Sequence, residues 1–182
     1  MARGFLAVVL ILTVATSAFL VGRAKAQDEN EARIIGFEDL HPGEESDFIK
    51  IPDGYEGFNW SYKFRCVTKE NWPDSGYETG CIGKVCAYTS SYKDVSMQSI
   101  DGEPFDFYGA YITAAWRQKQ DFTVEGWREG NLIYSETLLT DPNGPWWFEF
   151  EFKDIDMLYF RPGPRLGGTN HHLVIDDITV YP

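Results

Sequence analysis

The sequence predicts an all-β domain, a jelly-roll β-sandwich of about nine strands. Three observations carry the prediction. Short runs rich in β-branched and aromatic residues recur at roughly 8–12-residue spacing between Gly, Pro, Asn and Asp punctuation. Beyond the N-terminal apolar run, no window shows an apolar stripe at helical spacing. The first such run comes early and the last closes the chain, which suits a sandwich whose two ends lie side by side.

In chain order the predicted strands are 34–40, 48–51, 85–89, 110–116, 122–127, 132–139, 147–152, 157–160 and 173–180. Residues 147–152 alternate most clearly: Phe148, Phe150 and Phe152 face one way, Trp147, Glu149 and Glu151 the other. One face is core and the other wet. The run 173–180 begins continuously apolar and then alternates, predicting a strand that leaves a covered region for a sheet edge.

Residues 1–26 read as a signal peptide: Arg3 supplies the basic start, 5–21 are nearly all apolar, and Ala24-Lys25-Ala26 places small residues before a cut at Gln27. Residues 27–33 are expected to be a flexible lead-in, and 34–182 a single sandwich domain. An uncleaved anchor is the lesser reading, because the apolar run is shorter than the roughly 20 residues that span a bilayer. The chain closes on Val180-Tyr181-Pro182 without a sorting tail, so the expected product is soluble and extracellular, with no membrane contact after cleavage.

The whole chain carries 16 Lys and Arg against 28 Asp and Glu, a net charge of −12. The leader holds three of those bases and no acid, so its removal leaves 13 against 28, or −15. Such a field repels nucleic acid and anionic membranes and favours cations, cationic partners or neutral polymers.

Three cysteines lie in the domain. In Cys81-Ile82-Gly83-Lys84-Val85-Cys86 the central Gly83-Lys84 suits a two-residue turn that sets Cys81 opposite Cys86 and predicts a disulfide between them. Cys66 is then left over, or pairs with one of the two if the turn is otherwise; spacing leaves that open.

Three patches carry a family resemblance: Gly36-Phe37-Glu38-Asp39-Leu40, residues 105–116 around Tyr108-Gly109-Ala110-Tyr111, and Val174-Ile175-Asp176-Asp177-Ile178-Thr179-Val180. From about residue 34 onward the chain resembles the secreted bacterial ectodomains of the PEP-CTERM type, without their C-terminal sorting signal. The Phe-Glu opening and Asp-Asp-Ile close are also similar to MAM domains and to carbohydrate-binding modules of the galactose-binding-like jelly-roll class. The resemblance implies a sandwich in which acids of the first and last strands share a structural calcium.

The residues point the same way. Adjacent first and last strands would gather Glu38, Asp39, Asp176 and Asp177, and gathered carboxylates repel unless a cation neutralises them. Glu38 and Asp177 are the favoured calcium ligands. Trp72 and Tyr77, in a stretch whose Asn, Pro, Asp and Gly mark a loop, and Trp147 at a strand start are the candidate ligand-binding rings. Asn59-Trp60-Ser61 matches an N-glycosylation acceptor. His171 and His172 are adjacent and would point to opposite faces of a strand, which argues against a shared metal. No nucleophile elbow, activated thiol or phosphate loop occurs. The expectation is a secreted, non-catalytic module that binds carbohydrate or cell-wall polymer, with calcium as a structural ion. The alternative is a structural protein making extracellular protein contacts, and an enzyme is least favoured.

Overall fold

The computed structural model describes residues 31–40, 48–90, 93–163 and 170–182. The expected signal peptide and residues 27–30 of the lead-in lie outside that set. Arg33, placed in the lead-in by sequence, already belongs to the first strand.

Among the described residues there are twelve strands. The first four are β1 (Arg33–Ile35), β2 (Phe48–Lys50), β3 (Phe58–Trp60) and β4 (Phe64–Thr68). A five-residue helix α1 (Gly76–Gly80) precedes β5 (Val85–Thr89), β6 (Val95–Ser99), β7 (Phe105–Ala114) and β8 (Gln120–Arg128). The chain closes with β9 (Asn131–Thr140), β10 (Trp147–Ile155), β11 (Met157–Pro162) and β12 (Leu173–Tyr181).

The strands form two antiparallel sheets. One runs β10-β7-β12-β5-β4-β2, with β1 added on β12; the other runs β3-β6-β11-β8-β9. From β5 to β12 the chain crosses between them at every step except β8 to β9, giving the orders β5-β12-β7-β10 and β6-β11-β8-β9, which is the two-Greek-key path of a jelly roll. The expected fold class holds. β1 pairs with β12, Arg33 opposite Val180 and Ile35 opposite Ile178, so the two ends of the domain are together as expected.

The core lies between the sheets. Phe107, Ile112, Phe152, Ile175 and Val180 come from one layer and Val95, Met97, Phe122, Val124, Leu158 and Phe160 from the other, each buried to 1% exposure or less. Rings meet across the gap, as where Phe107 and Phe160 approach edge-to-face at 6.2 Å. Fully burying one such side chain contributes about 1.5–3 kcal/mol. The alternation read in 147–152 is observed: Phe150 and Phe152 are buried and Phe148 packs against the core, while Trp147, Glu149 and Glu151 are exposed.

Four local expectations are corrected. Strand 34–40 ends at Ile35, because the chain turns at Glu38 and Asp39. Strands β3, β4 and β6, too short or too polar to stand out as runs, were not anticipated. β12 does not drift to an edge: β7 flanks one side, while β5 and then β1 flank the other, so its second half stays buried. Residues 70–77 are not an open loop, since they lead into α1.

That helix forms because Ser75 caps it, its hydroxyl accepting the Tyr77 amide at 3.2 Å. Gly76 and Gly80, four residues apart, present one face without side chains to β7. A methyl on Gly76 would overlap the Ala114 carbonyl, and one on Gly80 would stand 2.7 Å from Thr113 Cβ. Gly76→Ala should therefore lower stability by about 1–3 kcal/mol, as overpacking against backbone does, measured by denaturant unfolding. An unchanged midpoint would show that α1 is not seated this closely.

Candidate functional site

Residues 69–86 fold back over the outer face of the larger sheet and create a second, smaller apolar cluster there. It contains Val67, Tyr77, Cys81, Cys86, Tyr88 and Val174, with Trp72 packed against it. The predicted disulfide joins Cys81 to Cys86 with Cα atoms 5.3 Å apart. Its setting differs from the expected hairpin: Cys81 caps the end of α1 and only Cys86 lies in a strand. Cys66 is free, buried in the main core, its thiol pushed up by desolvation.

This arrangement revises the predicted rings. Tyr77 is only 3% exposed, because it is the helical residue that faces the sheet, and Trp72 is half-buried. Both line a cavity of about 100 Å³ with Tyr88, Trp116 and His172, closed on one side by Phe48 and Val67. The rings touch in mixed tilts: Trp72 and Tyr77 at 5.6 Å, Trp72 and Trp116 at 6.0 Å, Tyr77 and Trp116 at 5.7 Å. Tyr77 OH and His172 Nδ1 share a 2.5 Å hydrogen bond, which fixes both side chains. Burial, with His171 adding to it, lowers the His172 pKa. The Arg65 guanidinium lies 5.2 Å from the Phe48 ring and is hydrogen-bonded to Tyr88.

Trp116 and Tyr88 escaped sequence reasoning. Trp116 looked like the end of a strand, but β7 stops at Ala114 and leaves the indole 38% exposed. The switch to polar residues in Arg117-Gln118-Lys119-Gln120 was the available signal. Trp116 also borders two polar cavities of about 420 Å³ each. One is lined by Asp74, Ser75, Glu78, Gln118 and Asn143, the other by Arg117, Lys119, Gln120, Asp121 and His171. An apolar floor with a polar rim thus sits where the β7–β8 loop, the β9–β10 loop and α1 meet.

Trp147 lies elsewhere on the same face. Its ring rests on Gly109, where a Cβ would stand 2.5 Å from the indole, and is flanked by Tyr111 at 5.3 Å and Tyr108 at 6.1 Å. Glu149 is hydrogen-bonded to Tyr108 and raises its pKa. The opposite sheet carries its own polar face, where Arg161 lies 4.9 Å over Tyr159 and pairs with Asp94 and, at 2.8 Å, with Glu125. Asn59 is exposed on β3.

Three of the four predicted acids are brought to one place. Glu38 Oε1 accepts the amides of Lys84 at 2.7 Å and Val85 at 3.0 Å; Asp176 accepts those of Ile82 and Asp177, each at 2.9 Å. Asp176 is 2% exposed, and desolvation, with the Asp177 and Glu38 charges adding to it, pushes its pKa up to about 7. Asp177 sits at an irregularity of β12 with φ of 47°, and burial and Glu38 raise its pKa too. Asp39 is separate, accepting the Tyr55 hydroxyl at 2.6 Å. Among the described residues no group of three His, Cys, Asp or Glu side chains is disposed to hold a metal ion. An ion here would take at most two carboxylates and complete its shell with carbonyls or water.

No protein-family model matches the chain, and no curated protein matches it. Among solved structures it is similar to TmCBM61 in complex with β-1,4-galactotriose, at 12% identity and a TM-score of 0.41, covering 73% of this chain and 96% of that one. It is also similar to the K2 cleaved adhesin domain of Lys-gingipain, at 14% identity and a TM-score of 0.45, covering 82% of this chain and 99% of that one. At these scores neither carries a function across to this chain.

Proposed function

We propose that this chain is a secreted, non-catalytic module that binds carbohydrate polymer through the loop end around Trp116 and Trp72. One observation carries the reading: an aromatic floor, partly open at Trp116, adjoins two polar cavities rich in amide, carboxylate and guanidinium groups. Rings stack on the C–H faces of a sugar while polar groups take its hydroxyls. The Trp147 platform offers a second stacking surface on the same face. The Cys81–Cys86 disulfide is what an oxidising exterior permits, in keeping with the signal peptide read at residues 1–26. If the export route is eukaryotic, exposed Asn59 is open to glycosylation.

A structural calcium is the second part of the proposal, drawing on Glu38 and Asp177 with Asp176 behind them. The support is the burial of Asp176 beside two further carboxylates, with no Lys or Arg ion-paired to any of the three among the described residues. The ion would hold residues 82–85 against β12 and has no part in ligand chemistry.

One observation favours a different reading, that of an extracellular structural protein. β9 is a ten-residue sheet edge exposing Leu132, Ile133 and Leu139. Light scattering that shows oligomers growing with concentration, without retention on any glycan, would select it.

Two measurements test the main proposal. The chain should be retained on insoluble polysaccharide, with Trp116→Ala and Trp72→Ala each weakening retention about tenfold or more and Trp147→Ala weakening it less; retention unchanged in the first two variants would remove this site. Millimolar calcium should raise the melting temperature relative to EDTA, and Asp177→Asn should abolish the difference. Superimposable melting curves would eliminate the ion.

A further inference from the structure

The two polar cavities that flank Trp116 differ in charge. The one toward α1 is lined by Asp74 and Glu78 and by no base. The other is lined by Arg117 and Lys119 with the single acid Asp121, and its Gln120 and His171 are buried. At roughly 30 Å³ per water-sized group, the volume of about 420 Å³ in this second cavity admits about fourteen heavy atoms. That is room for one sugar residue with an acid group.

The bases of this cavity keep their charge. Elsewhere Arg161 is held between Asp94 and Glu125, and Lys50, Arg128 and Lys153 each face an aspartate. Neither Arg117 nor Lys119 is ion-paired among the described residues, although the chain carries 28 acids. Arg117 is instead held by an imidazole, its guanidinium nitrogen lying 2.7 Å from His171 Nε2. A guanidinium can only donate, so His171 Nε2 is the acceptor, and the bond orients Arg117 without neutralising it. Burial, with the Arg117 charge adding to it, lowers the His171 pKa in the same sense. An oriented, uncancelled guanidinium that shares a cavity with an ammonium makes short, charge-assisted bonds to a carboxylate or sulfate oxygen.

Resting on the glycan reading above, we infer that the cavity lined by Arg117, Lys119 and His171 receives the anionic group of an acidic sugar, a carboxylate or a sulfate ester, while the pyranose lies against Trp116. The anion takes its hydrogen bonds from Arg117 and Lys119. Asp121 also lines the next cavity, and it leaves the site with one base in excess. The whole chain, at −12, repels a dense polyanion. The matching polymer therefore carries its acid on isolated residues among neutral ones.

The probes are glucuronoxylan and gum arabic, which carry uronates, and κ-carrageenan, which carries sulfate esters, each beside its carboxyl-reduced or desulfated form. Affinity electrophoresis should show an acidic polymer bound at least about tenfold more tightly than its neutral form, the equivalent of one hydrogen bond to a charged group. Whichever treatment removes the preference identifies the anion. Arg117→Gln and Lys119→Gln should each reduce the preference and together bring the two affinities level, with the circular dichroism spectrum unchanged. Equal binding of acidic and neutral forms, or a preference that survives the double substitution, would overturn the acidic-sugar assignment and leave the glycan reading standing. Retention on an insoluble neutral polysaccharide without binding to any acidic probe would do the same. Binding to none of the probes, together with no retention on any polysaccharide, would overturn both.

Discussion

Strand β12 is paired along both edges, to β7 on one side and to β5 and then β1 on the other. Five of its nine residues are fully buried, and buried backbone amides and carbonyls must find partners within the protein. A strand so enclosed is tolerated only because ladders run along both of its sides. The pairing fixes most of what surrounds it. It sets His172 beside Tyr88 and Tyr77, places Asp176 under the 82–85 turn, and brings Glu38, just after β1, to the same spot.

The outer face of the same sheet shows how small residues let a sandwich acquire a site. Gly76 and Gly80 allow α1 to lie directly on β7, and Gly109 allows the Trp147 ring to come close to the β7 backbone. At Gly109 an indole stands where a side chain would otherwise be, and at Gly76 and Gly80 the space is taken by the β7 backbone and Thr113. The disulfide then ties the end of α1 to β5, so the cover over the apolar cluster is held at both ends.

The architecture was legible because period-2 burial is written directly in segments such as 147–152, where both faces were assigned residue by residue. The disulfide was legible from spacing, though its route through the end of a helix was not. Strands β3, β4 and β6 were missed because β3 is only three residues long, and Ser and Gln in β6 and Arg and Thr in β4 dilute their apolar pattern. The site was legible in part. Trp72 could be singled out by its neighbours, but that it and Tyr77 close a cavity with Tyr88, Trp116 and His172 depends on contacts up to 100 positions apart in the chain, from Trp72 to His172. No local pattern encodes such a meeting. The acids divided for a similar reason: Glu38 and Asp176 converge on the 82–85 turn, whereas Asp39, next to Glu38 in sequence, points to Tyr55.

The antiparallel match of Arg33 with Val180 sets an orientation. β12 begins next to His172 at the aromatic cavity and ends eight residues later beside the start of β1. At about 3.3 Å per residue, roughly 26 Å separates the two ends of that strand. Any segment joined to the domain before residue 33 or after residue 181 therefore departs from the pole opposite the cavity. A neighbouring domain, a tether or a solid support attached at either terminus would leave the cavity pointing outward. A polymer held there would be presented away from its anchor, free to run past the attachment point without crossing it.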